Sequence, residues 1–467
     1  MNLWTSQEVR AATGGYIEGD WVVSGISIDT RTLAKGDLFV ALIAERDGHD
    51  FVLDALGKGA GAALVSKRPE GLSADAPLIL VEDVQKALEA LGTAARTRSK
   101  AKILAITGSV GKTSTKDMLR TVLEKQGRTH ASVASYNNHW GVPLTLARMP
   151  AETEYGVFEI GMNHPGEIAP LARLVRPDAV LITTVSAAHL EAFESVEAIA
   201  AEKASIIEGL SPDGTAVLNA DIPTASVLRH VADQTQSVQI WFGCGAVDAQ
   251  LTVCDTRDDT TYSQAKLGAK DLSYELRSLG SHFALNALGA IAALEAVGAD
   301  AEKAAKDISL WQPVEGRGSR SFVSTLFGKI EVIDDAYNAN PASMAAALEV
   351  LSIAKCERRI AILGDMKELG HSAQDIHANL ADLASLNDID AIHLVGPLMG
   401  SLYQKLPSKQ RGVHVNTAAE MVKIAADILN AGDCILIKAS LGTGLGAVVK
   451  TILQLEQSQG MCTEKET

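Results

Sequence analysis

The sequence predicts an α/β protein of three units: a small N-terminal α/β unit over 1–83, a central unit over 84–314 on a mostly parallel sheet with antiparallel strands added at an edge, and a Rossmann-like unit over 315–467. Three observations carry this. A chain of 467 residues exceeds what one core holds comfortably, at about 150 residues per domain. Short apolar runs alternate with helical stretches along most of the chain, the pattern of parallel strands joined by crossover helices. With 47% hydrophobic but only 4% aromatic residues, the core must be built from Ala, Val, Ile and Leu.

The elements follow in order. Gly25–Ile28, Asp37–Ala41, Ala62–Val65 and Pro77–Val81 read as strands, with a helical segment near Phe51–Lys58. The amphipathic segment Val84–Arg98 leads into an apolar strand at Ile103. Gly156–Ile160, Ala179–Thr183 and Thr215–Leu218 alternate with helices as parallel strands do. After Val238 the runs Val238–Phe242, Leu251–Cys254 and Leu272–Leu276 are separated by short polar turns, which predicts antiparallel edge strands before a long Ala-rich helix over His282–Val297. From Glu315 the alternation returns, with strands at Ile330–Asp334, Arg359–Leu363, Ala391–Val395 and Cys434–Lys438. The run Gly442-Thr-Gly444-Leu-Gly446 lacks the spacing of a dinucleotide fingerprint, and no strand with a ribose-binding acid follows it.

The segment Ile103–Thr115 carries the strongest chemistry. An apolar strand enters the loop Gly108, Ser109, Val110, Gly111, followed by Lys112, Thr113 and Ser114 and a helix from about Ser114 to Gln126. The glycines let backbone N–H groups face an anion, the helix start adds its positive end, Lys112 is a mobile cation, and Thr113 can hold Mg²⁺. Only two residues separate Gly108 from the Gly-Lys pair, a narrower form than the general phosphate loop. A nucleoside triphosphate is the expected ligand.

A net charge of −15 argues against binding nucleic acid or an anionic membrane, so an anionic substrate must meet local cations such as Arg31, Lys112, Lys203, Arg317, Arg320 and Lys438. Cysteines 244, 254, 356, 434 and 462 form no C-x-x-C pair and are odd in number, which points to a reducing compartment. No basic, apolar leader opens the chain and no uncharged apolar run reaches the ~18 residues of a membrane span, so a soluble cytoplasmic protein is expected.

Later motifs belong with the loop: Tyr136-Asn-Asn-His-Trp-Gly-Val-Pro143, Glu159-Ile-Gly-Met-Asn-His164, Ala188-His-Leu190, Asp334-Asp-Ala-Tyr-Asn-Ala-Asn-Pro341 and Gly364-Asp-Met-Lys-Glu-Leu-Gly370. In this order, over nearly the whole chain, they resemble the ATP-dependent Mur ligases of bacterial cell-wall synthesis. The Glu-Ile-Gly-Met-Asn, Asp-Ala-Tyr-Asn-Ala-Asn-Pro and Gly-Asp-Met-Lys-Glu-Leu-Gly strings are similar to those of members that join D-alanyl-D-alanine to UDP-N-acetylmuramoyl-tripeptide. The resemblance implies ATP and Mg²⁺ as cofactors, those two small molecules as substrates, an acyl phosphate on the way, and a monomer. The folylpolyglutamate synthases share the loop and the chemistry, but the uridine-type first unit and Glu-Ile-Gly-Met-Asn disfavour them. A nucleotide switch is disfavoured by the absence of an Asn-Lys-x-Asp guanine-reading motif.

The resemblance also implies roles. Glu159, at a strand end where open α/β sheets hold ligands, and His189 would be Mg²⁺ ligands with Thr113. Lys203 would carry a carbamate, turning a cation into an oxygen-donor anion that Mg²⁺ prefers. Asn286 would read adenine, and Arg317, Asp335, Tyr337 and Asn338 would hold ATP phosphate and ribose. Ser27, Thr30 and Arg31, with Gly48-His-Asp-Phe51, are similar to the family's uridine-diphosphate site. Asn137 and Asn138 would line the space where γ-phosphate and acceptor carboxylate meet. Lys438 and Ser440 match a loop that in many relatives reads Lys-Gly-Ser-Arg. Leu441 stands here at the arginine and cannot bind a carboxylate. Because Lys112 and Asp335 would serve one nucleotide from two units, the third unit is expected to close on the central one.

Overall fold

The computed structural model describes residues 2–133, 135–257, 259–325 and 328–455; Cys462 and the end of the expected third unit lie outside them. In the first unit, strands Gly25–Ser27, Asp37–Val40, Ala62–Val65 and Leu78–Leu80 run parallel, and Tyr16–Glu18 pairs antiparallel with the last. The helix Val84–Arg98 begins where the Asp83 carboxylate accepts the Lys86 N–H at 3.0 Å. Its buried Leu88, Leu91 and Ala95 share one cluster with Trp4, Val9 and Leu38 of the first unit and with Leu144 and Ala147 of the central one. This helix therefore welds the two units, and the Trp4 indole N–H donates across the same seam to the Ala147 carbonyl at 2.8 Å.

The central sheet has nine strands in the order Lys270–Leu276, Thr260–Leu267, Ala249–Arg257, Val238–Gly243, Thr215–Asn219, Ala179–Ile182, Lys102–Thr107, Tyr155–Glu159 and Thr129–Ala131. The expectation of antiparallel pairing from Val238 onward is corrected here. Val238–Gly243 is parallel to its neighbour, Ala249–Arg257 is parallel to it in turn, and only the two pairings made by Thr260–Leu267 are antiparallel. The unforeseen strand Thr260–Leu267 turns Thr261, Ser263, Ala265 and Leu267 inward. Its buried face is small and half polar, so it gives almost no hydrophobic alternation to read.

The phosphate-loop helix also differs from expectation, running Lys112–Leu123 and starting on Gly111 rather than near Ser114. It packs Met118, Leu119, Val122 and Leu123 with the helix Ser281–Ala296 against one face of the sheet. That second helix is buried nearly all round, as its lack of a polar stripe requires.

The third sheet runs Ser319–Thr325, Gly328–Asp335, Asp433–Lys438, Arg358–Gly364, Ala391–Val395 and Arg411–Val415, parallel except for its first pair. Both edge strands were invisible in the sequence because Ser319-Arg-Ser-Phe-Val-Ser-Thr325 and Arg411-Gly-Val-His-Val415 are too polar to register as apolar runs. Among the described residues, no helix is long and apolar enough to cross a membrane.

One tight contact holds the segment after Lys203 against the sheet-covering helix Ile168–Val175: a Cβ on Gly209 would lie 2.3 Å from the backbone of Ala172. Gly209→Ala is expected to cost about 1–3 kcal/mol, seen as a lower melting temperature, whereas Gly57→Ala, whose Cβ meets nothing within 4 Å, leaves the melting curve unchanged or higher.

Candidate active site between the central and third units

The register of the central sheet sets the site. Glu159 stands opposite Ile106, and Ile182 opposite Thr107, so the strands carrying Glu159 and leading to His189 flank the loop strand and end level with it. Gly108 passes so close to the next strand that a Cβ would sit 2.0 Å from Thr183 Oγ1. Thr183 Oγ1 donates to the Val110 carbonyl at 2.6 Å, and the Ser109 N–H donates to the Thr184 carbonyl at 2.8 Å. Gly111 holds φ +86 and has no side chain to cap the helix it begins, so the first amides of Lys112–Leu123 have no side-chain cap. That geometry fits a phosphate.

Lys112 Nζ donates to the Gly108 carbonyl at 2.6 Å. Burial lowers its proton affinity, partly opposed by Glu159. The buried Glu159 carboxylate accepts the Thr113 hydroxyl at 2.9 Å and the Asn137 amide at 2.7 Å, and among the described residues no cation pairs with it. An anion held only by neutral donors, one of them a hydroxyl able to turn its oxygen outward, fits a hard divalent cation. Among the described residues no three His, Cys, Asp or Glu side chains converge on one point. His189 Nδ1 is ion-paired with Glu368 of the third unit. Lys203 is buried, and among the described residues its amine makes no hydrogen bond or ion pair. Burial, reinforced by the charge of Lys112, holds its amine well below the usual ammonium range.

A cavity of about 90 Å³ lies between the units, lined by Ser109, Val110, Gly111 and Ser114 of the loop, Asn286, and Arg317, Asp335, Asn338 and Lys438 of the third unit. Asp335 is half-buried against the buried Lys438, whose Nζ donates to its carboxylate at 2.6 Å and to the Asn338 carbonyl at 3.0 Å. Burial raises the Asp335 pKa, and Lys438 opposes the rise. Lys438 thus lines the cavity between the units, paired with Asp335. Ser440 is buried as well, accepting the Lys367 N–H at 2.9 Å. Tyr337 lies outside the lining, with the Arg317 guanidinium 4.2 Å from its ring centre. Arg317 also reaches the central unit, donating to Ser135 Oγ at 3.3 Å.

A second cavity, about 910 Å³, opens on the first unit and is lined by Thr30, Arg31, Arg46, Gly48 and Phe51 together with Gln85, His139 and Trp140. Ser27 is not among its walls; it is buried, with its hydroxyl donating to the Asp29 carbonyl at 3.0 Å. Arg31 is 82% exposed and paired with Asp29. Asn138 accepts the Gly141 N–H at 2.9 Å and so shapes the start of the helix Gly141–Ala147.

Residues 106–294 match the Mur ligase middle domain and residues 320–441 the Mur ligase, glutamate ligase domain. The UDP-N-acetylmuramoyl-tripeptide–D-alanyl-D-alanine ligase of Rickettsia prowazekii is 34% identical over 449 residues, which span 96% of this chain and 99% of that protein. The chain belongs to the Mur ligase family. Crystal structure I of MurF from Acinetobacter baumannii superposes with a TM-score of 0.83 at 29% identity, covering 97% of this chain and 99% of that one. The MurF ligase of Thermotoga maritima in complex with ADP shares the fold, with a TM-score of 0.78, 24% identity, and 94% and 99% covered.

Sequence reasoning missed several residues of this Mur ligase site. His282 and Phe283 line the nucleotide cavity beside Asn286, and burial pushes the His282 pKa down to about 4. The i, i+4 spacing of His282 and Asn286 was the available signal. Asn340 and Ser343 also line it, while forming the capping box of the helix Pro341–Ser352.

Removing one partner of the Asp335–Lys438 pair leaves a buried charge alone. Lys438→Met is expected to lower stability by about 3–5 kcal/mol in urea titration, and Lys438→Met with Asp335→Leu to recover most of that loss. A double variant as unstable as the single one would reject the pairing energetics.

Proposed function

We propose that this Mur ligase joins D-alanyl-D-alanine to UDP-N-acetylmuramoyl-tripeptide at the expense of ATP, giving ADP and phosphate, as a cytoplasmic monomer in peptidoglycan precursor synthesis. The observation that carries the reading is one short segment. Asn137 reaches Glu159 while His139 and Trp140, two and three residues on, line the large cavity of the first unit. A long substrate seated by its nucleotide at Thr30, Arg31 and Arg46 would therefore present its far carboxylate within ~10 Å of that wall, beside the phosphate loop.

The chemistry follows from charge. A carboxylate oxygen attacks the γ-phosphorus and ADP leaves; the dipeptide nitrogen then attacks the acyl carbon, phosphate leaves and the nitrogen sheds a proton. Both steps crowd anions together, so fixed cations must offset the repulsion. In this reading Lys112 leaves the Gly108 carbonyl for the γ-phosphate, the loop amides and Ser114 hold the β- and γ-oxygens, and Arg317 approaches from the third unit. Asn286 faces the base and Asp335 with Asn338 the ribose. Magnesium, held by Thr113, Glu159 and His189, would neutralise phosphate charge. Lys203 is the residue we assign to a carbamate: a buried, neutral amine can add to CO₂ and lose a proton, giving an anion beside Lys112.

ADP release should need ATP, UDP-N-acetylmuramoyl-tripeptide and D-alanyl-D-alanine together, with no single substrate sufficing. Release driven equally by folate and glutamate would reject the assignment. Lys203→Ala should lose activity, and bicarbonate labelled with ¹³C should give a carbamate signal in the wild type that the variant lacks; full activity in Lys203→Ala would remove the carbamate.

A further inference from the structure

The motif Gly364–Gly370 has no place in the chemistry above, yet it is one of the most firmly built loops of the third unit. Asp365 accepts the Met399 N–H at 3.0 Å through its carboxylate, and its carbonyl accepts Thr443 Oγ1 at 3.1 Å. The Met366 N–H donates to His377 Nε2 at 2.9 Å and the Lys367 N–H to Ser440 Oγ at 2.9 Å. The next residue, Glu368, stands at φ +63, one of four non-glycine residues with positive φ among those described. Glycine would occupy that position without strain, so a carboxylate kept there marks a use for the side chain.

The scaffold aims Glu368 across the gap between units. Its carboxylate meets His189, itself at φ +59, beyond the strand that flanks the phosphate-loop strand, and the Glu368 side chain remains 53% exposed. Two other carboxylates of this site are held within their own units, Glu159 by Thr113 and Asn137, Asp335 by Lys438, whereas Glu368 reaches across to the central unit. The remaining charged groups facing the loop, Lys112 and Arg317, are cations suited to phosphate. A substrate that arrives as an ammonium would meet in Glu368 a half-exposed carboxylate of the third unit that already reaches the central one.

The geometry points to Glu368 as the residue that receives the amino group of the incoming dipeptide as its ammonium and, once that nitrogen has lost a proton to solvent, holds the amine against the acyl group on the central unit. It is a positioning residue, and its pair with His189 is the arm resting on the wall it serves. The inference rests on the ligase reading given above.

With ATP, magnesium, UDP-N-acetylmuramoyl-tripeptide and D-alanyl-D-alanine, Glu368→Gln is expected to raise KM for the dipeptide ~10- to 100-fold, the range for losing a charge-assisted hydrogen bond. The KM values for ATP and for the UDP-tripeptide should hold steady, and Glu368→Asp should recover part of the loss. Glu368→Gly, free of backbone strain, should melt higher than wild type while showing the same selective loss. An unchanged dipeptide KM in either Gln or Gly variant, or an equal rise in all three KM values, overturns the inference. If the wild type shows no dipeptide-dependent ADP release, it is the ligase reading that fails, whatever the variants do.

Discussion

The level ending of three parallel strands is the constraint on which the site depends. Ile106 opposite Glu159 and Thr107 opposite Ile182 bring the loop strand, the Glu159 strand and the strand leading to His189 out of the sheet at one height. A slip of one residue in the first pairing would turn Glu159 to the other face, and one in the second would shift the chain leading to His189. The close passage of Gly108 over Thr183 locks the same register, since any side chain at 108 would push the two strands apart. The triphosphate cradle and its acidic neighbour are thus one object made by backbone pairing, with Thr113 and Asn137 joined to it through Glu159.

That object works within an acidic protein. A net charge of −15 would repel nucleotide and UDP-linked peptide alike, so binding must come from a few cations shielded from the bulk field. Lys112 meets this by burial, which lowers its proton affinity, while Arg317 arrives from the other unit and stacks on Tyr337. A desolvated lysine has a stronger field than a surface one and fewer competing counterions. The distribution explains how a site for three anionic or zwitterionic molecules can sit on a surface of the wrong sign.

Much of this was legible from the chain because the parallel core writes itself in long aliphatic runs. Strands such as Ala62–Val65 and Ala391–Val395 and the helix Val84–Arg98 fall where the apolar pattern puts them. The polar strands were not legible. Thr260–Leu267 and Ser319–Thr325 hold their places by pairing with neighbours more than by their own burial, and a sequence displays burial far better than partnership. The site divides in the same way. The loop residues, Asn286 and Asp335 line one cavity because each lies in a motif with a fixed element. Ser27 and Ser440 resemble contact residues in sequence, yet their hydroxyls are turned inward to hold loops. Whether a serine faces ligand or backbone depends on a rotamer, which no spacing reveals.

The contacts between the third unit and the central one have a specific energetic character. Glu368 meets His189, Arg320 meets Asp259 at 2.9 Å, and Arg317 meets Ser135. The cavity between the units, about 90 Å³, is far below the ~300–1,000 Å³ of a pocket for a ligand of this size, so a nucleotide seated there would need the units to part. In the closed, collapsed form the polar groups that would meet the nucleotide are satisfied internally: Lys112 by Gly108, Asp335 by Lys438, Arg317 by Ser135. Binding then exchanges one partner for another, and such exchanges contribute little net free energy each. The surplus must come from interactions with no internal counterpart, the uncapped amides at Gly111 and a cation at Glu159. Affinity is thereby concentrated at the phosphate end, where the bond to be broken lies.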